Sequence, residues 1–188
     1  MTFSSDGKYV AVGTDGAGGE LPESGEIWIW ETENGKVVNI LTTKKDVPQG
    51  EWKSAVFAVA ISHDNKYVAA SIGGRPRRPD GLILGSGPAA EVRIWEVTSG
   101  RQIHSLRGHK SLVSQLAFSP DGKRLAASGS DQAVRLWDTG SGNMVNSLPF
   151  DTTRINALVY SPDGSLLAAG SGGGSKSSEV WVWACSKN

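Results

Sequence analysis

The sequence predicts an all-β chain assembled from copies of one four-stranded antiparallel sheet, and three observations carry that expectation. A Ser-x-Asp turn recurs four times, at Ser4, Ser62, Ser119 and Ser161. Each turn is followed by a short apolar strand. Downstream of each lies a stretch of apolar-x-apolar-Trp form, closing on Trp30, Trp95, Trp137 and Trp183, with the two-residue period of a strand.

The complete copy is residues 108–138, GHKSLVSQLAFSPDGKRLAASGSDQAVRLWD. It reads as a Gly-His pair, an apolar strand ending at Phe118, a Pro-Asp-Gly turn, a second strand, a short polar turn and a third strand. Placing Phe3, Ile61 and Tyr160 in register with Phe118 aligns SSDGK, SHDNK, SPDGK and SPDGS without gaps. In SPDG the proline presets φ, the aspartate bonds the backbone ahead and the glycine accepts a positive φ, so these are hairpin connections. The second strands follow at 9–12, 67–70, 125–127 and 166–169, and the third at 27–30, 92–95, 134–137 and 180–183. Gly35, Gly100 and Gly142 then open a turn into fourth strands at 37–41, 102–106 and 144–148.

Successive closing tryptophans lie 65, 42 and 46 residues apart, against roughly 40 to 45 for a repeat of four short strands. The excess in the first interval falls in 73–90 and 42–50, which are rich in glycine and proline and read as loops.

Composition narrows the function. At 188 residues the chain can bury one sizeable core, and 19 basic residues balance 19 acidic ones, so no long-range field for nucleic acid or an anionic membrane is expected. The single cysteine, Cys185, excludes an intramolecular disulfide framework and a cysteine-rich zinc site. No apolar run has the length of a membrane span, and residues 1–15 lack a signal pattern; a cytoplasmic location without a cofactor is the expectation.

With GH, FSPDG, SGSD and LWD at these separations, and His109 28 residues before Trp137, the chain resembles the WD-repeat β-propellers. That resemblance implies four-stranded blades in repeats 1–50, 51–107, 108–149 and 150–188, the first with a truncated first strand and the last without its fourth. Rings of this kind hold 4 to 8 blades, so the expectation is an incomplete arc of about four. Such an arc suits a fragment or module of a larger protein, prone to self-association through open edges. The resemblance also implies a hydrogen-bonded tetrad of His109, Ser128, Asp131 and Trp137. The turn after Ser128 is one residue short, which leaves Ser130 as the fallback. Elsewhere Trp52 and Asp151 take the histidine register, and Ser24, Ala89 and Ser177 the aspartate register, so only the third repeat can build the whole set.

The function expected is a non-catalytic scaffold that holds a protein or peptide partner on the loops of one face, with no nucleic acid and no membrane. Arg75, Arg77 and Arg78 are the contact candidates, since the planar guanidinium grips carboxylates and phosphates; Trp52 and Lys110 join them. Asp15, Glu20, Glu23 and Glu26 on the preceding repeat offer the arginines an alternative pairing. A propeller enzyme of quinoprotein or hydrolase type, or a sensory or targeting module of a longer enzyme, are the alternatives. His109, Asp131 and Ser128 are the residue types of a catalytic triad, but they coincide with the tetrad, so no catalytic residue is assigned. His63 and His104 match no metal-ligand spacing, and residues 85–90 match G-x-G-x-x-A ahead of a strand, where the phosphate logic of a helix N-terminus fails. Sequence offers no reason why Arg93 and Arg135 stand where the outer repeats carry Trp28 and Trp181.

Overall fold

The computed structural model describes residues 1–14, 25–43, 52–76, 91–151, 155–172 and 178–185, with backbone alone at 52–54 and 74–76. Its strands form four antiparallel sheets, each ordered as in the chain. The first blade holds β1 (Thr2–Phe3), β2 (Tyr9–Gly13), β3 (Glu26–Glu31) and β4 (Val37–Thr42). The second holds β5 (Trp52–Ile61), β6 (Tyr67–Pro76), β7 (Glu91–Glu96) and β8 (Gln102–Leu106). The third holds β9 (Val113–Phe118), β10 (Arg124–Gly129), β11 (Ala133–Asp138) and β12 (Met144–Pro149). The last has three described strands, β13 (Ile155–Tyr160), β14 (Leu166–Ser171) and β15 (Val180–Ala184).

The four Ser-x-Asp turns are one structure built four times. The serine hydroxyl donates to the aspartate two residues on, from Ser4 to Asp6, Ser62 to Asp64, Ser119 to Asp121 and Ser161 to Asp163, at 2.6 to 2.7 Å. The same carboxylate oxygen accepts the amide of Lys8, Lys66, Lys123 or Ser165, and the serine oxygen accepts the amide that opens the next strand. The residue after each aspartate has φ near +70°, carried by glycine three times and by Asn65 at φ +59° in the second blade. Asparagine tolerates that left-handed backbone, and Asn65 Nδ2 also donates to Asp6 Oδ2 at 2.7 Å, tying two turns together.

Packing between blades follows from strand alternation, which sends successive side chains to opposite faces. On β6, Val68 and Ala70 pack towards the first blade, while Ala69 between them packs towards the third. On β10, Leu125 and Ala127 face the second blade and Ala126 the fourth. Each blade thus has a backward face, carrying the closing tryptophan, and a forward face. Three apolar clusters join the forward face of one blade to the backward face of the next: Ala11, Ile27, Ile29 and Leu41 on Val68, Ala70 and Trp95; Ala69, Val92, Ile94 and Leu106 on Leu125, Ala127 and Trp137; Ala126, Val134 and Leu136 on Tyr160, Leu167 and Ala169. The core therefore lies between sheets, and each fully buried aliphatic side chain contributes about 1.5 to 3 kcal/mol. Gly13 marks one close approach, because a Cβ there would sit 2.3 Å from Val56 Cγ1 of the next blade.

One expectation needs correcting. Sequence reads 73–90 as loop, yet β6 continues to Pro76 and β5 starts at Trp52, with Ala55 opposite Gly73, Lys53 opposite Arg75 and Trp52 opposite Pro76. Ten-residue strands replace the five or six usual in this chain. Ladder pairing overrides the glycine pair Gly73-Gly74 because the facing strand supplies partners for its backbone groups.

Candidate functional site

The ion pairs of Arg93 with Glu91 and of Arg135 with Asp131 lie at the rim where the loops between second and third strands and the entries to the innermost strands lie. In the third blade, β9 is preceded by Gly108-His109, and Gly108 adopts φ +135°. His109 enters the sheet with its side chain buried, 1% exposed, against Trp137, the ring centroids 5.6 Å apart. His109 Nδ1 lies 3.0 Å from Asp131 Oδ1, and Asp131 Oδ2 accepts the Lys110 amide at 2.9 Å and Arg135 Nη1 at 2.5 Å. Arg135 Nη1 is also 2.8 Å from His109 Nδ1. A guanidinium only donates, so the carboxylate is the shared acceptor for both side chains. Burial pushes the Asp131 carboxyl up, but the His109 bond, the Lys110 amide and the charges of His109 and Arg135 outweigh it and hold the group at about 2.

Ser128 is not in this set. Through β10, Ser128 pairs with Val134, which packs on the fourth blade, whereas Trp137 pairs with Leu125 and faces the second. Strand alternation puts the serine on the wrong face, and the residue that faces Arg135 on the tryptophan side is Ala127. The Ser128 hydroxyl is buried without a hydrogen-bond partner, as is His109 Nε2. Ser130, the fallback, is an exposed turn residue. What sequence reasoning missed is Arg135, which lies on the same face as Trp137 and takes the polar role there; the signal was its spacing of four from Asp131. The same geometry removes the triad reading, since a serine nucleophile must reach its base and Ser128 points away from His109.

The register of Arg135 explains the two arginines and two tryptophans. Arg93, buried at 4%, binds Glu91, Nε to Oε2 at 2.7 Å and Nη2 to Oε2 at 2.6 Å. Glu91 also accepts from the Ser105 hydroxyl and from Arg107 Nε; burial raises its carboxyl, and Ser105 and Arg93 lower it further than burial lifts it. Trp28 donates its indole N–H to Glu26, two residues back like Glu91 from Arg93, and stacks on Trp30 at 5.7 Å. Trp181 packs against Phe150 at 5.8 Å. The side chains at this position thus find different partners: Glu26 and Trp30 for Trp28, Glu91 for Arg93, Asp131 for Arg135 and Phe150 for Trp181.

Of the contact candidates, Trp52 and Arg75 are in strand backbone at the end of the β5–β6 arm, and Lys110 is exposed beside the Asp131 cluster. Arg77 and Arg78 lie outside the described residues, as do Asp15, Glu20 and Glu23. At the opposite rim, a cavity of about 1120 Å³ opens between the third and fourth blades beside Arg124, Asn146, Tyr160, Trp183 and Cys185. In the first two interfaces the residues in register with Asn146 bond the next blade's turn: Asn39 donates to Val97 and Thr98 carbonyls, and His104 Nε2 lies 3.0 Å from the Gly140 carbonyl.

Four blades with forward-on-backward packing, Ser-x-Asp turns and a His-Asp pair against the closing tryptophan define a propeller of the WD type. Residues 100–138 and 142–184 match the family model described as WD domain, G-beta repeat, so WD repeats are matched at two positions of this chain. It is 31% identical over 109 residues to Coronin-7 of Mus musculus, a match covering 58% of this chain and 10% of that protein. A solved structure titled Structure of U3-55K superposes with TM-score 0.68 at 22% identity, over 96% of this chain and 47% of that one. A chain of the Mitotic Checkpoint Complex crystal structure gives 0.66 at 18%, over 95% and 45%. At these identities the structures speak for fold alone, and this chain spans about half their length.

Proposed function

We propose that the chain is a non-catalytic interaction scaffold whose contact surface is the β5–β6 arm and the adjoining rim. The observation that carries this reading is the extension of those two strands to Trp52 and Pro76, well beyond the length of their counterparts. The ladder orders the backbone of Trp52, Lys53 and Arg75, which lowers the entropy lost on binding, and Arg77 and Arg78 follow in the sequence. Aromatic and arginine side chains are those that dominate protein interfaces. The polar groups of the third blade, by contrast, are spent on one another. The family's association with protein partners supports the same reading, and the arginines fit an acidic or phosphorylated peptide.

A photo-crosslinking residue placed at Arg75, compared with one at exposed Val145 on β12, tests this in a cell extract. Specific adducts at position 75 that vanish on replacing Arg77 and Arg78 by alanine are the expected result. Equal labelling at both positions would remove the arm from the interface.

A further inference from the structure

The turn that joins the third strand of a blade to its fourth is built three times on one hydrogen-bond scheme. Asn34, Ser99 and Ser141 hold the same register in it. Each side-chain oxygen accepts the amide two residues on, from Lys36, Arg101 and Asn143. Each side chain also donates to the acidic residue three back: Asn34 Nδ2 to Glu31 at 2.8 Å, Ser99 to Glu96 at 2.6 Å and Ser141 to Asp138 at 2.8 Å. The next residue is glycine at φ +67°, +67° and +73°, a left-handed backbone that most residues enter only with strain. The turn therefore needs a side chain that both accepts and donates, and a glycine after it. Serine and asparagine both meet the first need, but only asparagine brings a carboxamide carbon that the glycine's amide nitrogen can attack.

We infer that Asn34 is a site of spontaneous covalent modification, losing its side-chain nitrogen as ammonia to leave an aspartate or isoaspartate in the folded chain. The Gly35 amide nitrogen gives its proton to hydroxide and bonds to Asn34 Cγ; the Cγ–Nδ2 bond breaks, and ammonia leaves with a proton from water. Water then opens the succinimide ring at either carbonyl. The net change is water in and ammonia out, with no enzyme or oxidant. Glycine has no Cβ to obstruct ring closure, whereas Asn39, Asn65, Asn143, Asn146 and Asn156 precede Ile40, Lys66, Met144, Ser147 and Ala157. The Lys36 amide on Oδ1, at 2.8 Å, draws electron density from the carboxamide. The bond from Gly35 N–H to the Glu31 carbonyl, at 2.9 Å, must open first, and an exposed turn opens without global unfolding. Ser99 and Ser141 are as exposed as Asn34, although their turns take bonds from the preceding blade, so accessibility belongs to the turn and not to where the chain starts.

Neither product fits the turn as asparagine does. Aspartate still accepts the Lys36 amide but has no N–H for Glu31, so two carboxylates meet where a hydrogen bond stood. Isoaspartate moves the side-chain methylene into the main chain and breaks the spacing that closes Glu31 N–H on the Lys36 carbonyl at 2.9 Å. The modification thus loosens the β3–β4 connection, at the rim opposite the β5–β6 arm, and does not rest on the contact surface proposed there.

Mass spectrometry of tryptic digests, taken from the folded 188-residue chain during weeks at neutral pH and physiological temperature, tests the site. Peptide 9–36 holds Asn34 as its one asparagine, and peptide 37–44 holds Asn39. The expected result is an amide-to-acid mass gain in 9–36, split into two chromatographic forms, well ahead of every peptide carrying another asparagine. Asn34→Ser, which copies the turns of the second and third blades, should keep the fold and abolish the change. If peptide 9–36 stays unchanged in the folded chain while the same chain in urea converts, the turn protects the pair and the inference is overturned. Conversion of Asn39 or Asn156 at the same rate overturns it as well. Hydrogen exchange reads the consequence: the Glu31 amide should exchange faster in Asn34→Asp than in the native and Asn34→Ser chains, and equal exchange in all three contradicts a loosened turn.

Discussion

Trp137 and Trp30 close the same strand of the same repeat, yet one is 1% exposed and the other half-buried. Trp137 has the forward face of the second blade in front of it and the ring of His109 beside it; among the described residues, Trp30 has Trp28 stacked along its own sheet and belongs to no apolar cluster. The difference teaches that a blade is not a unit of stability here. What stabilises a side chain is the neighbouring sheet, so identical sequence positions contribute differently according to whether a face is covered.

The largest expected effects test that contrast directly. Trp137→Ala should cost about 3 to 5 kcal/mol by opening a buried cavity, and Trp30→Ala less than that, because part of its surface is already in water. Urea melts at one fixed protein concentration compare the two. Asp131→Ala should fall near Trp137→Ala, at roughly 3 kcal/mol or more, since it strands His109 and Arg135 in a buried site. A loss as small as that for an exposed carboxylate would mean that the cluster is ornamental.

Acid sharpens the same point with a smaller effect. Asp131 has its carboxyl lowered from 3.8 to about 2, so its folded form is favoured while the carboxylate stays ionised. That stabilisation, about 2 kcal/mol, is complete above the unfolded value and drains away as pH falls from near 3.8 towards 2. Melting temperatures between pH 5 and pH 2 should therefore drop more steeply for the native chain than for Asp131→Asn, which has no such proton to bind.

Next in size is a pair of serines in one register. Ser71 donates to the Val113 carbonyl of the next blade at 2.8 Å and accepts the Ala58 amide, whereas Ser128 has no partner. Ser71→Ala should cost about 1 to 2 kcal/mol, and Ser128→Ala nothing or a slight gain. Smallest is Asn65→Gly: relief of the positive φ offsets loss of the bond to Asp6, leaving a net change below about 1 kcal/mol. Thermal melts of the four chains rank them.

The turns and strands were legible because their chemistry is local. A serine two residues before an aspartate, with glycine or asparagine next, specifies its hairpin whatever surrounds it, and four copies fix the register. Trp95 and Trp137 could be read as core for the same reason. Three things could not be read. The one-residue shortening before Asp131 hides which face Ser128 takes, because a single step along a strand reverses the side chain. Gly73-Gly74-Arg75-Pro76 has loop composition, and only the facing residues 52–55 make it strand. Arg93 and Arg135 have no reason in the sequence until Glu91, at the start of β7, and Asp131, in the turn before β11, appear as their partners.

Hydrogen exchange followed by mass spectrometry measures the protection of each blade separately. If covered faces hold the arc together, amides of β6, β7, β10 and β11 should exchange slowest, with β3 and β15 exchanging far sooner although their sequences match the same repeat. Uniform protection across all four third strands would contradict that account, because each blade would then be stable without its neighbours.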